Sequence, residues 1–140
     1  MNKENLLKLA KFLDGLPEDY EHFDMSKWLA SDTNELCPDE IEDVDIKACG
    51  YAACAIGHAP QALKLTPEET WKCATWNAFI HHYFDIAWIE EQFMFGVDWQ
   101  DVDNTPKGVA KRIRYFLENG VPDSFGFVTD ERIIELYEDY

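Results

Sequence analysis

The chain has 140 residues, 46% of them hydrophobic and 14% aromatic, with Asp+Glu 28 against Lys+Arg 12 and a formal net charge of -16. A length of this order is one domain, and that apolar content excludes a disordered acidic tail. A field of that sign repels nucleic acid and anionic lipid and attracts basic protein surfaces.

Taken in chain order, residues 6–13 place Leu6, Leu9, Ala10 and Leu13 on one face at helical spacing, with Gly15 and Pro17 ending the helix. Residues 18–45 are polar and acidic, with one apolar patch at 23–29 that reads as a short strand or a packed loop. Residues 48–59 are rich in small residues and predict a buried helix ending at Gly57 and Pro60. Thr66-Pro67-Glu68-Glu69 then carries a cap, a first-turn proline and a capping-box glutamate. The helix it opens is expected to carry the stripe Trp71, Ala74 or Thr75, Ala78, Phe79 and Tyr83. A further helix is predicted over 86–95, stopping at Gly96. Thr105-Pro106 opens another that buries Val109, Ala110, Ile113, Phe116 and Leu117 and stops at Asn119-Gly120. Thr129 is expected to cap a last helix carrying Ile133, Ile134 and Tyr137. The expected fold is mainly α, a single compact domain over 1–140 with five or six helices and at most a minor short strand element.

No apolar run approaches the ~20 residues of a transmembrane helix. The N-terminus lacks the h-region and cleavage site of a signal peptide. A cytoplasmic protein is therefore expected, with Cys37, Cys49, Cys54 and Cys73 as reduced thiols.

Several constellations invite chemistry. Cys49, Cys54 and His58, with Cys73, His81 and His82, contain zinc-ligand types, but no C-x-x-C knuckle is present. Cys is also among the commonest buried small residues, and an acidic chain raises thiol pKa values, which disfavours a cysteine nucleophile. His81 and His82 lead into Tyr83-Phe84-Asp85, which reads better as the edge of a packed helix than as a proton relay. The run 98–104 has the acid density of a calcium loop without its turn glycine or its closing glutamate. Nine aromatics fall between Trp71 and Trp99, more than two helices bury on one side, so some are expected at a partner or dimer surface. Lys107, Lys111, Arg112 and Arg114 gather on one helix and read as an internal complement to neighbouring acids or to a second subunit.

Residues 49–57, Cys49-Gly50-Tyr51-Ala52-Ala53-Cys54-Ala55-Ile56-Gly57, and the later Thr105-Pro106-Lys107-Gly108-Val109-Ala110-Lys111-Arg112-Ile113 carry a resemblance. The chain resembles small uncharacterised bacterial and phage proteins with a Cys-Gly-(Thr/Tyr)-x-Ala-Cys-x-x-Gly motif followed by aromatic helices. The resemblance spans roughly residues 49–117 and assigns no activity and no site residue. It implies a phage or mobile-element protein, a setting in which small acidic proteins resemble inhibitors of host defence enzymes.

The acids are concentrated. Residues 14–45 hold twelve of them with one base, Lys27, and residues 73–106 hold six with no Lys or Arg. The expected function is a non-enzymatic acidic inhibitor in the host-cell cytoplasm, with no metal or other cofactor. It would bind the basic nucleic-acid-binding surface of a host protein by DNA-like charge mimicry. The expected partner-binding residues are Asp39, Glu40, Glu42, Asp43 and Asp45, then Asp98, Asp101 and Asp103, with Trp88 and Trp99 as aromatic anchors. The pattern also allows a homodimer. The runner-up is an immunity-type or adaptor module using exposed aromatics, and third comes a metal- or cysteine-dependent enzyme.

Overall fold

The first helix begins where Asn2 accepts a hydrogen bond on its side chain from the Asn5 N–H at 3.0 Å, satisfying one of the unpaired donors of the first turn. It runs Lys3–Asp14 (α1) and buries Leu6, Leu9, Ala10 and Leu13, the stripe its spacing predicts. The computed structural model describes residues 1–30, 35–40, 52–97, 102–123, 125 and 132–140, with Arg132 by its backbone alone. Among these residues the chain is mainly helical, with a 3-10 turn at Pro38–Glu40 and six further helices after α1. They are Ala59–Ala62 (α2), Pro67–Trp71 (α3), Trp76–Tyr83 (α4), Trp88–Phe95 (α5), Pro106–Asn119 (α6) and Arg132–Tyr137 (α7).

The core is one cluster. Its centre is α1 laid along α6, the most extensive interhelix contact among the described residues. Opposite the α1 stripe, α6 buries Val109, Ala110, Ile113 and Phe116, while Leu117, expected with them, is only half-buried at the edge of the core. Phe79 and Ile80 of α4, Phe93 and Met94 of α5, and Ile133 and Tyr137 of α7 complete it. Each buried Leu or Phe contributes roughly 1.5–3 kcal/mol. The Arg114–Asp14 ion pair that also joins α6 to α1 is partly exposed and supplies about 1 kcal/mol at most. Burial therefore holds the two helices together, and the ion pair sets their edge.

Two elements depart from the sequence expectation. The predicted helix over 48–59 is not one where it is described. Ala52 pairs with Ala30 through both backbone bonds at 2.9 Å, and Ala53 donates to the His22 carbonyl at 2.9 Å. Residues 55–58 turn, and Pro60 lies in the first turn of α2 rather than past a helix end. These short bridges, Phe23↔Ala53, Ala30↔Glu35 and Ala30↔Ala52, are the only strand-like pairings among the described residues. The patch at 23–29 is accordingly a packed loop, stitched to 52–54.

The second departure is the break between α3 and α4. Thr75 accepts from the Ala78 N–H at 3.1 Å and starts a new helix. That cap rotates the register, so Trp76, Phe79 and Ile80 are buried while Trp71, Ala74, Thr75 and Ala78 are exposed. The capping box at Thr66 and Glu69 forms as expected, with both reciprocal bonds present.

Arg112 is 0% exposed in the middle of the core. Its Nε donates to the Met94 carbonyl at 3.1 Å and a terminal nitrogen donates to the Asp103 carbonyl. The guanidinium lies 5.9 Å from the Tyr137 ring centroid. Burial lowers its pKa, while Tyr137 and Asp103 raise it back. Asp103 in turn accepts on Oδ1 from the Thr105 N–H at 3.0 Å and hydroxyl at 2.6 Å, and Thr105 caps α6. Gly108 permits the close approach, since a Cβ there would collide with Asp103.

Removing this guanidinium strands two carbonyls and opens a cavity. Arg112→Ala is expected to cost about 3 kcal/mol, lowering Tm by about 10 °C, whereas Arg114→Ala costs less than about 1 kcal/mol. Thermal melts of both variants check the ranking, and equal losses would contradict it.

Candidate functional site

The stitching of 52–54 to 24–30 builds one wall of a cleft. Cys54 N–H donates to the Lys27 carbonyl at 2.6 Å and Asp24 N–H to the Ala53 carbonyl at 3.0 Å. A Cβ on Gly57 would strike the Trp28 carbonyl, so glycine is what lets the 55–58 turn sit behind this wall. Trp28 stacks on Trp76 with ring planes 7° apart and centroids 6.3 Å apart, and the Trp76 indole N–H donates to the Leu36 carbonyl at 2.8 Å. Across from Met25, Lys27 and Trp28 stand Glu91, Gln92 and Phe95 of α5, enclosing about 240 Å³.

Glu91 is half-buried in this cleft, and burial alone pushes its carboxyl above the ordinary carboxylate range. No hydrogen bond or ion pair reaches that carboxylate among the described residues. Trp88, at 70% exposure, lies one turn earlier on the same helix stripe, followed by Ile89 at 39%. Glu90 accepts from the Ala87 N–H at 2.7 Å, which fixes the start of α5 without a side-chain cap from Ala87 itself. On the loop side, Asp24 is held low, chiefly by the Ser26 hydroxyl at 2.6 Å and also by Lys27 at 3.9 Å. Lys27 thus pairs with Asp24, and no ion pair to Glu91 forms among the described residues.

Nucleophilic chemistry has little to work with here. Burial pushes the Cys54 thiol up to about 11, and its Sγ–H points at the Trp28 carbonyl, 3.9 Å away. The neighbouring His58 does not face that sulfur. Its Nδ1 donates to the Cys54 carbonyl at 2.9 Å, and its ring sits among Phe12, Tyr20 and Phe23. His58 is 1% exposed and its Nε2 has no hydrogen-bond partner among the described residues. Cys54 and His58 therefore share a turn without forming a dyad or a paired set of ligands.

The structure places the expected site residues unevenly. Asp39 and Glu40 are exposed on the 3-10 turn, which packs against α3. Asp103 is half-buried and bound into the start of α6. Trp88 is the most exposed of the large hydrophobic residues described. Glu42, Asp43, Asp45, Asp98, Trp99 and Asp101 lie outside the described residues, as do Cys49 and Thr129. Val97 lines the same cleft as Ser26, which lies within the acidic segment 14–45.

Two features escaped the sequence reading. Cys37, Asp39 and Glu40 bring a sulfur and two carboxylates within 4.8 Å of one another, the one such convergence among the described residues. Glu40 already accepts from the Cys37 N–H at 3.0 Å, and its carboxylate raises the thiol pKa, which keeps the proton on sulfur. The only sequence signal was a proline between cysteine and acid. Glu91 gave no signal, because its meaning depends on what faces it. No family model matches the chain, and neither the curated proteins nor the solved structures contain a match to it.

The pH response of His58 follows from its cage. Burial lowers its pKa from 6.5, with a smaller contribution from His22, so the folded state resists the proton that the unfolded chain accepts. Stability is then unaffected by this group well above pH 6.5 and is lost as pH falls below it. The slope contributed is at most about 1.4 kcal/mol per pH unit. Urea melts at pH 7.5 and pH 5.5 are expected to show a larger loss in the native chain than in His58→Phe, and parallel losses would refute the assignment.

Proposed function

We propose that this chain is a non-enzymatic inhibitor, encoded by a phage or mobile element, that covers the basic nucleic-acid-binding surface of a host defence protein by DNA-like charge mimicry. The observation that carries this reading is the placement of charge. Every Asp and Glu among the described residues is exposed or half-exposed, while Arg112 is buried and Arg114, Lys8 and Lys27 are paired with acids. The negative charge therefore belongs to the skin of the domain, where a partner meets it. Sixteen surplus charges correspond to about 27 Å of duplex at one charge per ~1.7 Å. A compact domain of this length is about 35–40 Å across, so one acidic face approaches the charge density of DNA. Asp39 and Glu40, exposed at the 3-10 turn, would contribute to such a face, and the partner would arrive by long-range attraction that salt screens.

The exposure of Trp88 favours a second reading, an interaction module in which an aromatic anchor carries the affinity. The two readings differ in ranking. Under mimicry, Asp39→Lys with Glu40→Lys weakens binding more than Trp88→Ala does. The opposite order supports the anchor.

The test is capture of host-lysate proteins on the immobilised chain, followed by competition. Captured partners are expected to bind nucleic acid, to lose affinity at least tenfold between 50 and 200 mM salt, and to be displaced by duplex DNA. A partner that holds this chain and DNA together, or binding that ignores salt, would overturn the proposal.

A further inference from the structure

We infer that the cleft between residues 25–28 and α5 seats one cationic side chain, arginine or lysine, of the protein partner, with Glu91 as its counter-ion and Trp88 as the aromatic surface at the mouth. This rests on the reading that the partner is a basic protein.

Four observations converge. The first is size. At about 240 Å³ the cleft falls below the range of about 300–1,000 Å³ that holds a cofactor or drug-sized ligand, and suits a single long side chain. Shape is the second, because Met25, Trp28 and Phe95 offer apolar surface for a methylene stem while Glu91, Gln92 and Ser26 add polar groups to the same lining. The third is charge. A half-buried carboxylate with no hydrogen bond or ion pair among the described residues is destabilising in the free protein, and an incoming cation removes that cost. Lys27, the cation already in the cleft, is engaged with Asp24 across the loop.

The fourth is direction. Trp88, Glu91, Gln92 and Phe95 share one stripe of α5, and helical side chains lean toward the N-terminus. Glu91 thus leans over the turn that carries Trp88. A cation bound by Glu91 lies within reach of that indole face, and arginine pairs with both groups at once through its planar fork and its stacking surface. Trp88 has no other use in the described structure. An indole left 70% exposed on a soluble face has a reason if a partner covers it.

The probe is a dye-labelled peptide, acetyl-Arg-Gly-Arg-Gly-Arg amide, beside the same peptide with citrulline for each arginine, followed by fluorescence anisotropy on the full chain. Citrulline keeps the shape of arginine and removes the charge. The arginine peptide is expected to bind at least tenfold more tightly than the citrulline peptide. Glu91→Gln is expected to weaken it about tenfold and Trp88→Ala about fivefold. Glu118→Gln, which removes the same charge from an exposed site on α6, should change it less than twofold. A melt gives an independent reading: Glu91→Gln raises Tm of the free protein near neutral pH, because it removes a desolvated charge, while shrinking the Tm rise on adding peptide.

Equal losses for Glu91→Gln and Glu118→Gln would overturn the inference, since binding would then follow total charge. If that happens while salt-dependent capture of a nucleic-acid-binding protein persists, the cleft assignment falls and the mimicry reading stands. If peptide binding requires Glu91 but the captured partners do not bind nucleic acid, the cleft assignment stands and the mimicry reading falls.

Discussion

The guanidinium of Arg112 is the interaction on which the rest of the arrangement depends. It reaches from α6 to the Met94 carbonyl at the end of α5, to the Asp103 carbonyl before α6, and to Tyr137 of α7. One side chain thus ties three elements whose own secondary structure says nothing about how they meet. A buried charge is costly unless its donors are satisfied, and here backbone carbonyls do much of that work in place of a carboxylate. The consequence is specificity of position. The last turn of α5 cannot rotate without stranding either Met94 or the guanidinium, and the face carrying Glu91 and Phe95 is held toward residues 25–28.

That constraint bears on function because the cleft is made by two segments distant in sequence. The loop wall is fixed from behind by residues 52–54 and by the turn through Gly57. The helical wall is fixed by Arg112. Both walls are therefore preorganised, and a ligand entering between them orders little that is not already ordered. A half-desolvated carboxylate maintained by such a scaffold is a stored instability, of the kind that binding sites keep and cores remove.

The acidic skin and the cleft act on different scales. Net charge acts over the Debye length of about 8 Å at physiological salt and, on the proposed function, would set how often a basic partner arrives. It carries little information about which partner stays. In the cleft we propose for a cationic side chain, Glu91 and Trp88 would act at contact distance, where a desolvated ion pair and an aromatic face discriminate a cation from a neutral group of the same shape.

The sequence by itself determined the helical class, the stripes of α1 and α6, the caps at Thr66 and Thr105, and the sign of the surface. Each of these is a local or additive property, carried by 3.6-residue spacing, by a cap three residues from its partner, or by a sum of charges. It misplaced the 48–59 segment because small residues such as Ala52 and Ala53 suit a helix and a close backbone pairing equally, and only their pairing with Ala30 and His22 decided between them. It ran α3 into α4 because Thr75 reads equally as a stripe member and as a cap, and burial of Trp76 settled which. It grouped Arg112 with Lys107, Lys111 and Arg114 as a complement to acids of neighbouring elements or of a second subunit, since periodicity ranks arginine as polar wherever it falls. Tertiary structure alone decided that this arginine is internal and that Glu91 lines a cleft with no hydrogen bond or ion pair among the described residues, because each depends on what another part of the chain brings to within a few ångströms.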